Sequence, residues 1–138
     1  AGLPLAKVIN VKSGVSRKFV IVDAAMNDLI RPALYDAYHE IVPVTAPASD
    51  APVERVDIVG PVCETGDLFA AQRPMPPVKP EDLLAFSTAG AYGAVMASTY
   101  NTRPLVPEVM VKGSEFAVVR PRLSYDALIG QDVVPNWL

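Results

Sequence analysis

Fourteen prolines are scattered through the 138 residues, several beside short apolar runs, and this spacing limits the fold more than any other feature. Proline has a fixed φ and no N–H to donate, so it breaks helix interiors and is confined to sheet edges, strand ends and bulges. Little helical periodicity survives between the prolines. Many short β-branched runs punctuated by Pro and Gly predict a mainly β, Greek-key-like barrel or sandwich with one short helix. Hydrophobic residues make up 51% and charged residues 20%, a globular balance, and the length suits one domain.

Leu5–Val11 and Lys18–Asp23 predict two strands joined as a hairpin by the turn residues Lys12–Ser16. The second is nearly all apolar, which predicts a central strand covered on both faces. Val42–Val44, built around Pro43, suits an edge. Val56–Val59 and Leu83–Phe86 read as short buried strands, and Leu68–Ala71 as a strand or short turn. Four prolines within Arg73–Pro80 forbid a central strand there. Pro107–Lys112 and Phe116–Arg120, separated by Gly113, predict a last hairpin. Ser124 would cap a helical turn reaching Leu128, and Trp137 would be a packing anchor.

Ala24–Glu40 holds the one convincing helix signal. Asn27–Asp28 suits a capping turn, Pro32 suits the first helical position, and a helix can run on through Tyr38. The proline biases Arg31 away from the α region. Arg31 and Tyr35 lie four apart, as do Leu34 and Tyr38, so each pair shares a face. A guanidinium beside a phenol suits a carboxylate ligand, because Arg presents a planar donor fork. A surface arginine beside a half-buried tyrosine is the plainer reading.

Gly60-Pro-Val-Cys-Glu-Thr-Gly-Asp67 delivers the only cysteine, beside a carboxylate, into a turn closed by glycine. A thiol acts as an acid or nucleophile when it is partly exposed and tuned by its neighbours. A single cysteine is more often a small buried hydrophobe. Tyr92 stands between Gly90 and Gly93, where a backbone or phosphate can approach closely; a buried tyrosine in a strand-to-turn element is the commoner case. His39 is the only histidine and has no cysteine cluster for company, so it reads as structural and no metal site is expected. A net charge of -3 without a Lys/Arg cluster argues against nucleic acid as a partner. No run approaches the ~20 apolar residues of a membrane span, and no secretory signal is recognised at the N-terminus. One cysteine permits no internal disulfide, which fits a reducing compartment.

Val22–His39, Gly60–Asp67, Ala89–Gly93 and Tyr100–Pro104, in that order, resemble the C-terminal portion of the bacterial diaminopimelate decarboxylase family. The resemblance runs from about Lys18 to about Tyr125. It implies that 1–138 form the C-terminal β-rich domain of a pyridoxal 5'-phosphate enzyme of the alanine racemase and ornithine decarboxylase type. The cofactor-binding (β/α)8 barrel, with its Schiff-base lysine, would lie outside this sequence. It implies further a cytoplasmic homodimer that converts meso-2,6-diaminopimelate to L-lysine and carbon dioxide, with each active site shared between subunits and no nucleic-acid or membrane partner.

Carried over residue by residue, Arg31 and Tyr35 would hold the carboxylate at the substrate's non-reacting end. Glu64 would pair with the distal ammonium and Cys63 would supply the proton that replaces carbon dioxide, both in the partner's site. Tyr92 would sit against substrate and cofactor phosphate. Lys7, Lys12, Lys18, Lys79 and Lys112 do not match the family's lysine motif, so the chain alone is expected to bind cofactor poorly and to be inactive. Thr65 stands where many relatives have serine and keeps the hydroxyl. Two other readings stand beside this one. The first is an ornithine, arginine or carboxynorspermidine-type decarboxylase, whose members tend to lack the Arg31/Tyr35 pair or to carry aspartate in place of Glu64. The second is a non-catalytic β module that mediates dimerisation.

Overall fold

The structure, a computed structural model, describes residues 2–138. It divides into two compact units, Ala1–Ala97 and Ser98–Leu138. In the first, β1 (Leu5–Ser13) and β2 (Lys18–Val22) form the expected antiparallel hairpin, with Val11 opposite Val20 and a bulge between Val8 and Asn10. β3 (Ile41–Pro43), β4 (Glu54–Val59), β5 (Leu68–Met75) and β6 (Leu83–Phe86) complete a six-stranded sheet in the order β3-β6-β1-β2-β4-β5. β2 and β4 run parallel, and the other neighbours antiparallel. Leu5–Lys7 of β1 pair with β6 and the residues from Val8 onward with β2, so the bulge falls where the strand changes partners. Bulges bend and twist a sheet, and this one is nearly closed, like a barrel. Pro43 and Pro74 sit in β3 and β5, the two edge strands, where a missing donor is tolerated.

The core lies on one face of this sheet. Ala6 and Val8, Val20 and Val22, Val56 and Ile58, and Leu84 and Phe86 are buried at alternate positions along their strands. Phe69 meets Phe86 edge-on, with ring centroids 5.0 Å apart. Leu29, Ile41, Met75 and Ala89 belong to the same cluster. β2 is central as expected, but it is not covered on both faces. Its Phe19 and Ile21 are half-buried while Val20 and Val22 are sealed, so the second face of this strand is covered only in part.

The helices depart further from expectation. α1 (Arg31–Tyr35) stops short of Tyr38 because Asp36 takes a left-handed φ of 51° and the Ala37 N–H reaches back to the Arg31 carbonyl. Leu34 and Tyr38 are therefore not a helical pair. Arg31 is itself helical, and Ile30 occupies the cap position with no side-chain cap. Asp28 instead accepts the Ala25 N–H at 2.9 Å, capping the turn that precedes the helix. α2 (Gly90–Met96) forms where a strand-to-turn element was expected. Its two glycines are poor helix formers, but Gly93 is buried close to Leu29 and Ala89, and that packing decides the conformation.

The second unit contains the expected hairpin of β7 (Glu108–Lys112) and β8 (Glu115–Arg120), turning at Gly113 with φ 60°. Arg120 pairs with Glu108 at 2.7 Å. The Ser124 hydroxyl accepts the Ala127 N–H at 3.0 Å and caps α3 (Tyr125–Ile129), also as expected. Trp137 is 79% exposed and anchors no packing among the described residues.

Candidate functional site

The ladder between β4 and β5 ends at the pair Val59 and Leu68, and the residues between them fold into a compact loop. The Glu64 N–H donates to the Val62 carbonyl at 2.8 Å, the Asp67 N–H to the Glu64 carbonyl at 3.0 Å and the Leu68 N–H to the Gly66 carbonyl at 2.8 Å. The Glu64 carboxylate accepts the Gly66 N–H at 3.3 Å. Tight local bonding of this kind leaves side chains pointing outward, and Cys63 is exposed. The thiol is thus not a buried hydrophobe.

Asp67 is only 4% exposed and ties the loop down from beneath. One carboxyl oxygen accepts the Val62 N–H at 2.8 Å, and the other accepts the Met26 N–H at 2.7 Å. Gly60 is required by contact here: a Cβ at that position would stand 2.6 Å from the Asp67 carboxyl carbon and closer still to its oxygens.

Arg31 opens α1 and Tyr35 closes it, one turn apart, with Tyr35 exposed. The Arg31 guanidinium carbon lies 5.2 Å from the centroid of the Tyr92 ring on α2, within cation–π range. Two motifs distant in sequence therefore meet. Tyr92 is 59% exposed, so the expectation of a buried tyrosine fails and its hydroxyl is open to a ligand. Just before α2, Thr88 takes φ 57°, a strained value for a β-branched residue, and its hydroxyl donates to the Ser87 carbonyl at 2.7 Å.

The segment following α1 is pinned from two sides. Arg73 of β5 stacks over Tyr38 at 4.3 Å and donates to the His39 carbonyl at 2.9 Å. His39, 2% exposed, places Nδ1 3.0 Å from the Ser87 carbonyl, so an Nδ1–H donates there; Nε2 is buried without a hydrogen-bond partner. These contacts fit a structural role for His39, and no group able to hold a metal ion occurs among the described residues.

The structure brings Arg31 beside Tyr92, and Asp67 ties the Cys63–Glu64 loop to the segment that precedes α1 by accepting the Met26 N–H. Sequence reasoning gave no role to Asp67, Arg73 or Tyr38. A carboxyl residue closing a Gly-bounded loop is the type that gathers backbone N–H groups, and that signal was available for Asp67. For Arg73 there was none, because its partners are a carbonyl and a ring distant in sequence.

Known proteins share this architecture. The family model described as pyridoxal-dependent decarboxylase, C-terminal sheet domain, matches residues 1–90. The diaminopimelate decarboxylase of Zymomonas mobilis is 55% identical over 138 residues, covering 100% of this chain and 32% of that protein. The crystal structure of diaminopimelate decarboxylase from M. jannaschii in co-complex with L-lysine has a TM-score of 0.91 and 38% identity, over 99% of this chain and 31% of that one. The Helicobacter pylori diaminopimelate decarboxylase complexed with L-lysine gives 0.85 and 37%, over 94% and 31%. The chain thus spans about a third of the length of the curated relatives it matches. With the sheet, the loop and the paired helices in place, the chain belongs to the family of pyridoxal-dependent decarboxylase C-terminal sheet domains.

Proposed function

We propose that this chain is the substrate- and subunit-facing domain of a pyridoxal-phosphate decarboxylase that converts meso-2,6-diaminopimelate to L-lysine and carbon dioxide. The half-buried Arg31 guanidinium over the exposed Tyr92 ring carries the reading, because it sets the group that would hold the substrate's distal carboxylate beside the group that would meet the cofactor. The names of the relatives support the choice of substrate.

Diaminopimelate has two amino-acid ends and only one of them reacts. Arg31 and Tyr35 hold the carboxylate of the other end, and Glu64 pairs with its ammonium. An amino acid lacking that carboxylate leaves the guanidinium desolvated and unpaired, so it is rejected. The cofactor, when bound, supplies an electron sink for the pair left behind as the carboxyl group departs. Cys63 then delivers a proton from Sγ to the same carbon. An exposed thiol suits a site completed by another subunit, and we place Cys63 and Glu64 in the partner's site of a cytoplasmic homodimer.

The residues fit the cofactor as contributors to its pocket. Tyr92 offers an open hydroxyl to its phosphate. Lys7, Lys18 and Lys79 are engaged by Glu81, Glu54 and Asp82, and we place the imine-forming lysine on a (β/α)8 barrel separate from this domain, which we take as 1–138. The test is carbon dioxide release by the full-length protein from meso-diaminopimelate and from L-ornithine. A strong preference for the former, lost in Arg31→Ala, is expected; equal rates would overturn the assignment of substrate.

A further inference from the structure

We infer that Asp67 is the positioning residue of the site: one buried carboxyl group sets both the thiol loop and the segment that leads into the anion clamp. The inference rests on the function proposed above for Cys63 and Arg31. Three observations carry it. The carboxyl oxygens divide their bonds between two parts of the chain, Val62 beside Cys63 and Met26 in the segment between β2 and α1. The backbone of Asp67 adds a third tie, accepting the Gly60 N–H at 3.0 Å at the mouth of the loop. The volume that a Cβ at Gly60 would need is filled by the carboxyl group itself.

The backbone bonds within the loop are short-range and fix its shape. Met26 also packs against it, since a Cβ on Gly66 would lie 3.5 Å from the Met26 terminal methyl. A shift of the Asp67 carboxyl therefore moves the backbone at Val62 and at Met26 together. The thiol and the Arg31/Tyr35 clamp are displaced by a single change. Proton delivery is sensitive to such displacement, because misplacing a reacting group by about 1 Å can cost about 100-fold in rate.

Asp67→Asn keeps the shape and turns one acceptor into a donor facing an N–H. Gly60→Ala presses on the same carboxyl from the opposite side and leaves both donors in place. Val56→Ala, in the core of β4, is the control that lowers stability without touching the loop. In full-length protein loaded with cofactor, we expect both loop variants to lose roughly 100-fold in kcat and, because the clamp moves as well, to show a several-fold rise in KM for meso-diaminopimelate. The rate at which iodoacetamide alkylates the Cys63 peptide, read by mass spectrometry, should change several-fold in both, and the Val56→Ala protein should match wild type in kcat and alkylation. Loop variants whose kcat and alkylation rate follow the control at equal thermal stability would overturn the inference. Cys63→Ala separates the two levels. If it keeps wild-type kcat, the proton-donor role fails, and the alkylation rates of the loop variants alone then decide whether Asp67 positions the loop.

Discussion

Asp82 shows how a single half-buried side chain records its environment. Hydrogen bonds from the Lys79 side chain and then from its backbone N–H hold the Asp82 carboxyl below its ordinary 3.8. A carboxyl with a depressed value in the fold contributes stability above its unfolded value and loses it as pH falls through the folded one. Asp82→Asn should therefore lower the melting temperature at neutral pH, and the deficit should shrink to nothing as pH falls well below 3.8. Thermal melts of both proteins across that range check it. The effect should be small and weaken with salt, because the Lys79 side chain is largely exposed.

At the scale of elements, the core and the pinned segment carry separate predictions. Phe86 is buried at the end of β6 and packs edge-on against Phe69 of β5, so Phe86→Ala should cost about 3–5 kcal/mol in denaturant unfolding. Arg73→Ala removes the stack on Tyr38 and the bond to the His39 carbonyl, and should cost about 1–3 kcal/mol while raising hydrogen exchange between α1 and β3. The strands were legible because alternation and proline position are local signals: Val20 and Val22 face the core, and Pro43 and Pro74 mark the edges. The limits of α1 and α2 were not, because they are set by features remote from local propensity. α1 ends on the left-handed turn of Asp36, and α2 forms around the buried contact of Gly93 despite its glycines. Arg31, Tyr35, Cys63, Glu64 and Tyr92 are candidates named from residue type and motif order. That Arg31 stands over Tyr92, and that Asp67 underlies the cysteine loop, depends on long-range packing that no window of sequence contains.

At the scale of the whole molecule, the proposed reaction is divided between two stretches of chain and, in the dimer, between two subunits. The described unit carries Arg31 stacked on Tyr92 and an exposed thiol, and in the proposal the ring that holds the electrons belongs to the barrel. Mixing two inactive full-length variants, Cys63→Ala and one lacking the Schiff-base lysine of the barrel, tests that division directly. With free subunit exchange, half the dimers are mixed and each has one intact site, so activity should return to about a quarter of wild type. No return of activity, with mixed dimers demonstrated by native mass spectrometry, would contradict the shared site and with it the role assigned to this domain.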